Sequence, residues 1–563
     1  MSIERVDDLK RCWFPPAGGS FEQAINKALD RIGSSESSEQ GQSEQGYVES
    51  MVAADRGGRI VKKTKVVKDN VWGMVELEWP SMRLLDSPLL QRLRGIRQLG
   101  FTYLTYPSAE HSRFAHSLGM YSVVLRFLDA MYRGRPNYSY DDHAFSVWPL
   151  NEESRTDLLH AAILHDTGHM PFSHVVERML EAFPDKVTCG SYTVQDFKFE
   201  AERTLGKELD LSECLSIAIV LSPRFTTYYR EFVRPGGEEQ SVLRLAALIA
   251  GLPPRRRLRG LGDLISGTAV DADKIDYVIR DASACGIPVG IDVARLFLRS
   301  SFFDVRRELL PDLYGPNAPP EDTVIFVLNA SGVDTVEELT QARSALYQRV
   351  YLHQTTRNAE RLLGLCFERI MKRASRHRGV NLRDALELWT LDDFGLLREL
   401  TSSNDPSVRM LGRRIRNRDL PKRAAVITRS LVTTLVPLTE IFPRMTDGPD
   451  RLREIAGVPL DGLRRAVPGK PRSGELTAEL RSDLERQIGK EATCLAAQLS
   501  GGAVSNLIPA ADTPPLISLL PIPPLEQENQ HCIVLENNAL VSSALRSVSD
   551  KHSDAAELFK SVG

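Results

Sequence analysis

Cysteine is scarce in this chain, with seven among 563 residues. Cys12, Cys189, Cys214, Cys285, Cys366, Cys494 and Cys532 are dispersed, and none forms a CxxC pair. That excludes a closed Cys-based zinc site and fits reduced thiols in a cytoplasm better than a disulfide framework. Net charge is also small: 71 Lys+Arg against 74 Asp+Glu leave a formal −3. There is thus no global basic bias towards nucleic acid or an anionic membrane, and any nucleotide site must be built from local charge. No apolar run is long enough to span a bilayer, and MSIERVDDLKRCWF lacks the apolar centre of a signal peptide. The expected setting is cytoplasmic, without a membrane partner and without a strong nucleic-acid signal.

What is present is a 42% hydrophobic chain, enough for a large core. Residues 1–50 read as a helical preface followed by a flexible linker, GSSESSEQGQSEQG from Gly33 to Gly46. A basic run, RGGRIVKKTKVVK, covers Arg56–Lys68. Residues 51–375 read as the main core. Buried helices are expected over 117–132, 158–164, 212–221 and 344–372, with short strands at 71–77 and 323–328. Residues 376–563 read as mainly helical, with a Pro-rich linker at 508–524 and a terminal helix over 539–562. The fold class is therefore mainly α, with a few short strands and an additional helical C-terminal region.

The chemistry concentrates in HDTGHMPFSH, 165–174, where three His and one Asp fall within ten positions. His165 and Asp166 stand where the apolar run ending at Leu164 stops. Burying both is costly unless they are paired or bound to metal. Two further ligand candidates stand out, His116 in HSRFAHSLG and Asp273 in DADKIDY. Two imidazoles and two carboxylates make a mixed N/O site suited to a divalent ion: Mn²⁺ or Mg²⁺ first, with Fe²⁺, Ni²⁺, Co²⁺ or Zn²⁺ as alternatives.

With YPSAEHSRFAHSLGM, ILHDTGHMPFSH, DADKIDYVIRDA and ARSALYQRVYLHQ in this order, the chain from about Lys65 to Arg373 resembles the HD-domain dNTP triphosphohydrolases, bacterial dGTPases and the SAM-and-HD-domain dNTPase of animals among them. The resemblance implies an HD-domain helical core with His116, His165, Asp166 and Asp273 as metal ligands. It implies attack of a metal-activated water on the α-phosphorus, giving deoxynucleoside and triphosphate. His174 would act as general acid with Glu177 orienting it, and His169 would contact the phosphates beside the catalytic Asp166. Arg113, Lys274 and Arg343 would hold phosphate. Tyr277 and Asp281 would face the deoxyribose, with Gln98, Leu99, Tyr351 and His353 completing the pocket. Lys65, Asp86, Gln91 and Arg94 match a nucleotide effector site. A homo-oligomer, tetramer or hexamer, is implied; dGTP is the favoured substrate, and dNTP depletion against phage is one role compatible with it. One departure from the family is Phe199, in Lys198-Phe199-Glu200, where relatives of the animal enzyme carry a His-Glu pair. The alternatives are a nucleotide-sensing pseudoenzyme and a phosphodiesterase of the wider HD superfamily.

Overall fold

The computed structural model describes residues 2–16, 18–33, 64–133, 145–267, 270–372 and 380–421, with the strands His531–Glu536 and Ala539–Ala544. The basic run up to residue 63, the Ser/Glu/Gln linker and the Pro-rich segment lie outside these residues. The described fold is mainly α.

The expected preface is two helices, Ser2–Trp13 and Ser20–Gly33. Trp13 stacks on Phe197 at 4.7 Å, fastening the preface to the core. The alternating stretch before Leu77 is one arm of a hairpin, Gly73–Leu77 paired antiparallel with Lys65–Asp69. Asp69 accepts the N–H groups of Val71 and Trp72 at its turn, 2.9 and 2.8 Å.

Three long helices build the centre. Arg113–Arg133 and Glu152–Leu164 pack against each other, and Ala272–Ala284 lies on the first. Asn151 caps Glu152–Leu164 by accepting the Ser154 N–H. Leu158 through Leu164 are all buried, so this helix is enclosed all round rather than amphipathic. Leu211–Leu221, opened by a capping box from Asp210 and Glu213, packs beneath its C-terminal end.

A five-stranded sheet flanks the helices, in the order Phe145–Val147, Ser300–Val305, Thr323–Asn329, His531–Glu536, Ala539–Ala544. Only the third and fourth strands are parallel. Here two expectations are corrected. Ala539–Ala544 is a strand rather than the start of a terminal helix, because backbone pairing with His531–Glu536 outweighs local propensity; residues 545–562 lie outside the described residues. The continuous helix expected over 344–372 is broken: Val333–Leu346 passes into a π-turn at Tyr347–Tyr351, and a new helix runs Gln354–Lys372. The break turns the Tyr351 hydroxyl onto Asp281, 2.6 Å away.

Helices Ala385–Trp389, Asp393–Thr401 and Pro406–Arg416 carry the chain past the core and pack back on it.

Candidate metal centre

Three elements deliver the cluster. His116 sits in the first turn of Arg113–Arg133. His165 ends Glu152–Leu164, and Asp166 and His169 follow in a tight turn, with the His169 N–H on the Asp166 carbonyl at 3.1 Å. Gly168 permits that turn: its N–H meets Ser216 Oγ at 2.8 Å, and a Cβ there would lie 2.1 Å from the Ser212 carbonyl. Asp273 occupies the first turn of Ala272–Ala284, which Asp271 caps.

His116 Nε2 lies 3.2 Å from His165 Nε2, 3.0 Å from Asp273 Oδ1 and 3.7 Å from Asp166 Oδ2. His165 Nε2 is 3.3 Å from Asp166 Oδ1 and 3.9 Å from Asp273 Oδ1. The far nitrogens assign the tautomers. His165 Nδ1 donates to the Ala162 carbonyl (2.9 Å) and His116 Nδ1 to Asp276 (2.7 Å), so both Nε2 atoms face one another and two carboxylates. Four electron-rich atoms in one place call for a cation. The same demand shows in protonation: burial opposes charge on His116, yet hydrogen bonds to Asp273 and Asp276 raise its pKa to about 10. Burial would raise Asp273, but His116 and His165 bring it down to about 2. A divalent ion fits this donor set.

A second group adjoins the first through Asp166, which also faces His169 Nε2 at 3.2 Å and Arg113 Nη1 at 2.6 Å. His174 Nδ1 donates to Glu177 Oε2 at 2.7 Å, and the His169 and His174 rings meet edge-on at 4.7 Å. Glu177 Oε1 takes the Ser212 N–H at 2.6 Å. Burial pushes Glu177 up, but the His174 bond and charge prevail and hold it below the usual carboxylate range. Burial, reinforced by Arg113, brings His169 down to about 4, so its ring is neutral at pH 7. Phe172 and Ser173 both have φ of 56°, a strained pair for non-glycine residues. The pair is held by Asp393 on the Phe172 N–H (2.6 Å), by Ser173 Oγ on the Arg97 carbonyl (2.8 Å) and by Arg113 Nε on Ser173 Oγ (2.9 Å).

Asp281 accepts from Tyr351 and meets His111 Nε2 at 2.8 Å. Arg343 lies over the Tyr347 ring at 5.4 Å and its charge acts on Tyr277. Gln98 Oε1, His111 Nδ1, His169 Nδ1 and Arg343 Nε are buried with no hydrogen-bond partner. Leu99 packs half-buried against the core. Lys274 is turned inward onto Asp271 and the Gly267 carbonyl, both 2.6 Å. His353 Nδ1 accepts the Thr355 N–H (3.2 Å). The four effector candidates form two surface pairs, Lys65 with Asp86 (3.4 Å) and Arg94 with Gln91 (2.7 Å).

Phe199 lies on the outer face of Val194–Leu205, 63% exposed, and Glu200 pairs with Arg203. The His–acid pair at the cluster is His174–Glu177. Sequence reasoning missed His111, Asp276 and Arg280. His111 lies in the same motif as His116; Asp276 stands one helical turn beyond Asp273.

The HD-domain model matches residues 113–218 and the HD associated region matches 321–491. HD domains bind divalent metals, and the cluster above lies where that chemistry is expected. The fold and the cluster define an HD-domain protein. Among its relatives, the uncharacterized protein YwfO of Bacillus subtilis (strain 168) is 31% identical over 307 residues, 54% of this chain and 55% of YwfO. The deoxynucleoside triphosphate triphosphohydrolase SAMHD1 homolog of Dictyostelium discoideum is 25% identical over 369 residues, 64% of this chain and 60% of its own. The SAMHD1 triphosphohydrolase of Bos taurus is 23% identical over 373 residues, 64% and 58%. The chain thus carries an HD domain at residues 113–218 and is similar to these proteins, of whose length it spans 55–60%. Among the described residues, no helix is long and apolar enough to cross a membrane.

Proposed function

We propose that the protein hydrolyses deoxynucleoside triphosphates to deoxynucleoside and triphosphate, with residues 51–375 as the catalytic core. The observation that carries this reading is the pair of clusters that meet at Asp166: His116, His165 and Asp166, with Asp273 3.0 Å from His116, on one side, and His169, His174 and Glu177 on the other. His116, His165, Asp166 and Asp273 would hold a divalent ion, which would supply Lewis acidity at a phosphoryl group and acidify a water. The protein's own groups do the rest. Arg113, beside Asp166, holds a phosphate oxygen through its guanidinium. His174, half-exposed and backed by Glu177, delivers a proton to the 5′-oxygen as the bond from that oxygen to the α-phosphorus breaks. Tyr277, Asp281 and Tyr351 enclose the deoxyribose, and Arg343 and Lys274 balance triphosphate charge, Lys274 by exchanging its bond to Gly267. The exposed Lys65–Asp86 and Gln91–Arg94 pairs are the proposed effector contacts.

The test incubates purified protein and Mn²⁺ with each dNTP, singly and in pairs, and separates the products by ion exchange, beside Asp166→Ala. Nucleoside with triphosphate, absent in the variant, supports the reading, and the active combinations give base preference and effector. Monophosphate with pyrophosphate refutes it in favour of a different phosphohydrolase.

A further inference from the structure

Behind His116, on the side away from the other ligands, lies a chain of charged groups with no place in the proposed chemistry. Asp276 Oδ2, which accepts from His116 Nδ1, also accepts from Arg280 Nε at 2.9 Å, and its Oδ1 takes Arg280 Nη2 at 3.0 Å and the Trp72 indole N–H. Arg280 continues to Asp69, with Nη1 on Oδ2 at 2.9 Å and Nη2 on Oδ1 at 3.2 Å. Asp69 closes the turn of the 65–77 hairpin. The four side chains are enclosed: Asp69, Arg280, Asp276 and His116 are 5, 1, 0 and 0% exposed.

We propose that Asp276, Arg280 and Asp69 are positioning residues that fix the ring and tautomer of His116 for metal binding, making the 65–77 hairpin a structural part of the metal centre. The proposal rests on the metal-centre reading above. Three features carry it.

The first is direction. Each link is a charge-assisted hydrogen bond, and two are paired contacts from one guanidinium, so the imidazole is oriented through to the hairpin turn. Arg280 joins Asp276 to Asp69 side chain to side chain, and Trp72 ties them a second time, with its indole N–H on Asp276 and its backbone N–H on Asp69.

The second is charge. The relay sets two carboxylates, Asp69 and Asp276, against one guanidinium, leaving a formal −1 behind the imidazole. Adding Asp166, Asp273 and Arg113 gives four carboxylates against two guanidiniums, a formal −2. Buried charge without compensation is strongly unfavourable, and one divalent ion neutralises this set. A carboxylate accepting from Nδ1–H also makes Nε2 a more basic ligand.

The third is space. Gly119, one turn beyond His116, is the point where the helix yields to the relay: a Cβ there would stand 2.0 Å from Asp276 Oδ1 and 2.2 Å from Arg280 Nη2. A glycine inside a helix is less stable than alanine, so this position gives up helix stability to make room for the pair.

The experiment measures Mn²⁺ binding to the full chain, by the electron paramagnetic resonance of free Mn²⁺, and the visible absorption of the Co²⁺ form. The variants are Asp276→Asn, Asp69→Asn and Gly119→Ala, with Arg280→Lys as the conservative change. Thermal unfolding in chelator checks that each variant is folded. Asp276→Asn is expected to weaken Mn²⁺ binding about 10–100-fold, the range seen when a ligand's supporting group is lost. Asp69→Asn and Gly119→Ala shift affinity in the same direction by less, and all three alter the Co²⁺ band. Arg280→Lys, which keeps the charge and loses the fork, falls between Asp276→Asn and wild type. Should Asp276→Asn not fold, Asp69→Asn, two side chains removed from the imidazole, carries the test. Folded variants that bind Mn²⁺ within about twofold of wild type, with an unchanged Co²⁺ band, overturn the relay. A wild-type protein that binds no Mn²⁺ overturns the metal-centre reading itself, and the relay with it.

Discussion

His174 and Glu177 stand one helical turn apart and bond at 2.7 Å, the imidazole half-exposed and the carboxylate buried. Glu177 is pinned again by the Ser212 N–H, so it holds the ring rather than facing substrate itself. Replacing His174 by Ala is expected to lower kcat about 10²–10⁴-fold, the usual worth of a positioned acid, with metal binding retained. Glu177→Gln is expected to lower kcat less and to move the alkaline limb of the pH–rate profile to lower pH. Equal kcat in His174→Ala and wild type, measured by product chromatography, would remove His174 from the mechanism.

Removing the metal should soften the fold. An ion bound at a hundred times its Kd stabilises by about 2.7 kcal/mol, so chelator is expected to lower the unfolding temperature and Mn²⁺ to restore it. In Asp166→Ala the unfolding temperature should ignore both additions. A calorimetric scan with and without chelator decides.

His160 gives a pH dependence of definite sign. Its Nδ1 lies 2.7 Å from the Tyr229 hydroxyl, and burial, with Arg234 adding, pushes its pKa down to about 3. The unfolded chain protonates near 6.5. Above that value the residue contributes no slope. Below it the unfolded state takes up a proton that the native state refuses, so stability falls by roughly 1.4 kcal/mol per pH unit until the folded pKa is reached. His169, lowered to about 4, adds a slope of the same sign. Urea midpoints at pH 7 and pH 5 should therefore converge in His160→Gln relative to wild type; equal losses in both proteins would count against a neutral buried His160.

Gly168→Ala is expected to destabilise the protein by about 1–3 kcal/mol and to abolish turnover, since the added carbon meets backbone at Ser212 and Ser216 and not a side chain that can swing aside. Chemical denaturation of the variant measures the first effect, and the product assay the second.

The core of the site was legible because its signals are local. An apolar run ending in His165-Asp166, with Gly168 and Pro171 behind it, reads as a buried helix followed by a sharp turn, and that is how Glu152–Leu164 ends. His116 and Asp273 were recognisable from their motifs. The relay was not, because Asp69 and Arg280 meet across 211 positions and nothing near either residue announces the other. Gly119 was the one local hint, a glycine inside an otherwise good helix. Phe199 misled for the opposite reason: matching by sequence neighbourhood placed it at a catalytic position, while the helical period turns it outward beside buried Phe197. The strand Ala539–Ala544 depends on its partner and had no local periodicity to separate it from a helix.

The turn that carries Asp166 and His169 leans on residues far down the chain. Trp389 donates its indole N–H to the Thr167 carbonyl at 2.8 Å, and Arg92, whose guanidinium lies 4.5 Å from the Trp389 ring centroid, bonds the Trp389, Thr167 and His169 carbonyls. Asp393 holds the Phe172 and Arg97 N–H groups. A chain truncated near residue 375 would retain every proposed ligand and lose this outer brace, leaving buried carbonyls and amides at the turn to find water instead. Helices Ala385–Trp389 and Asp393–Thr401 are in that sense the back wall of the candidate metal site, and changes there reach its turn without touching a proposed ligand.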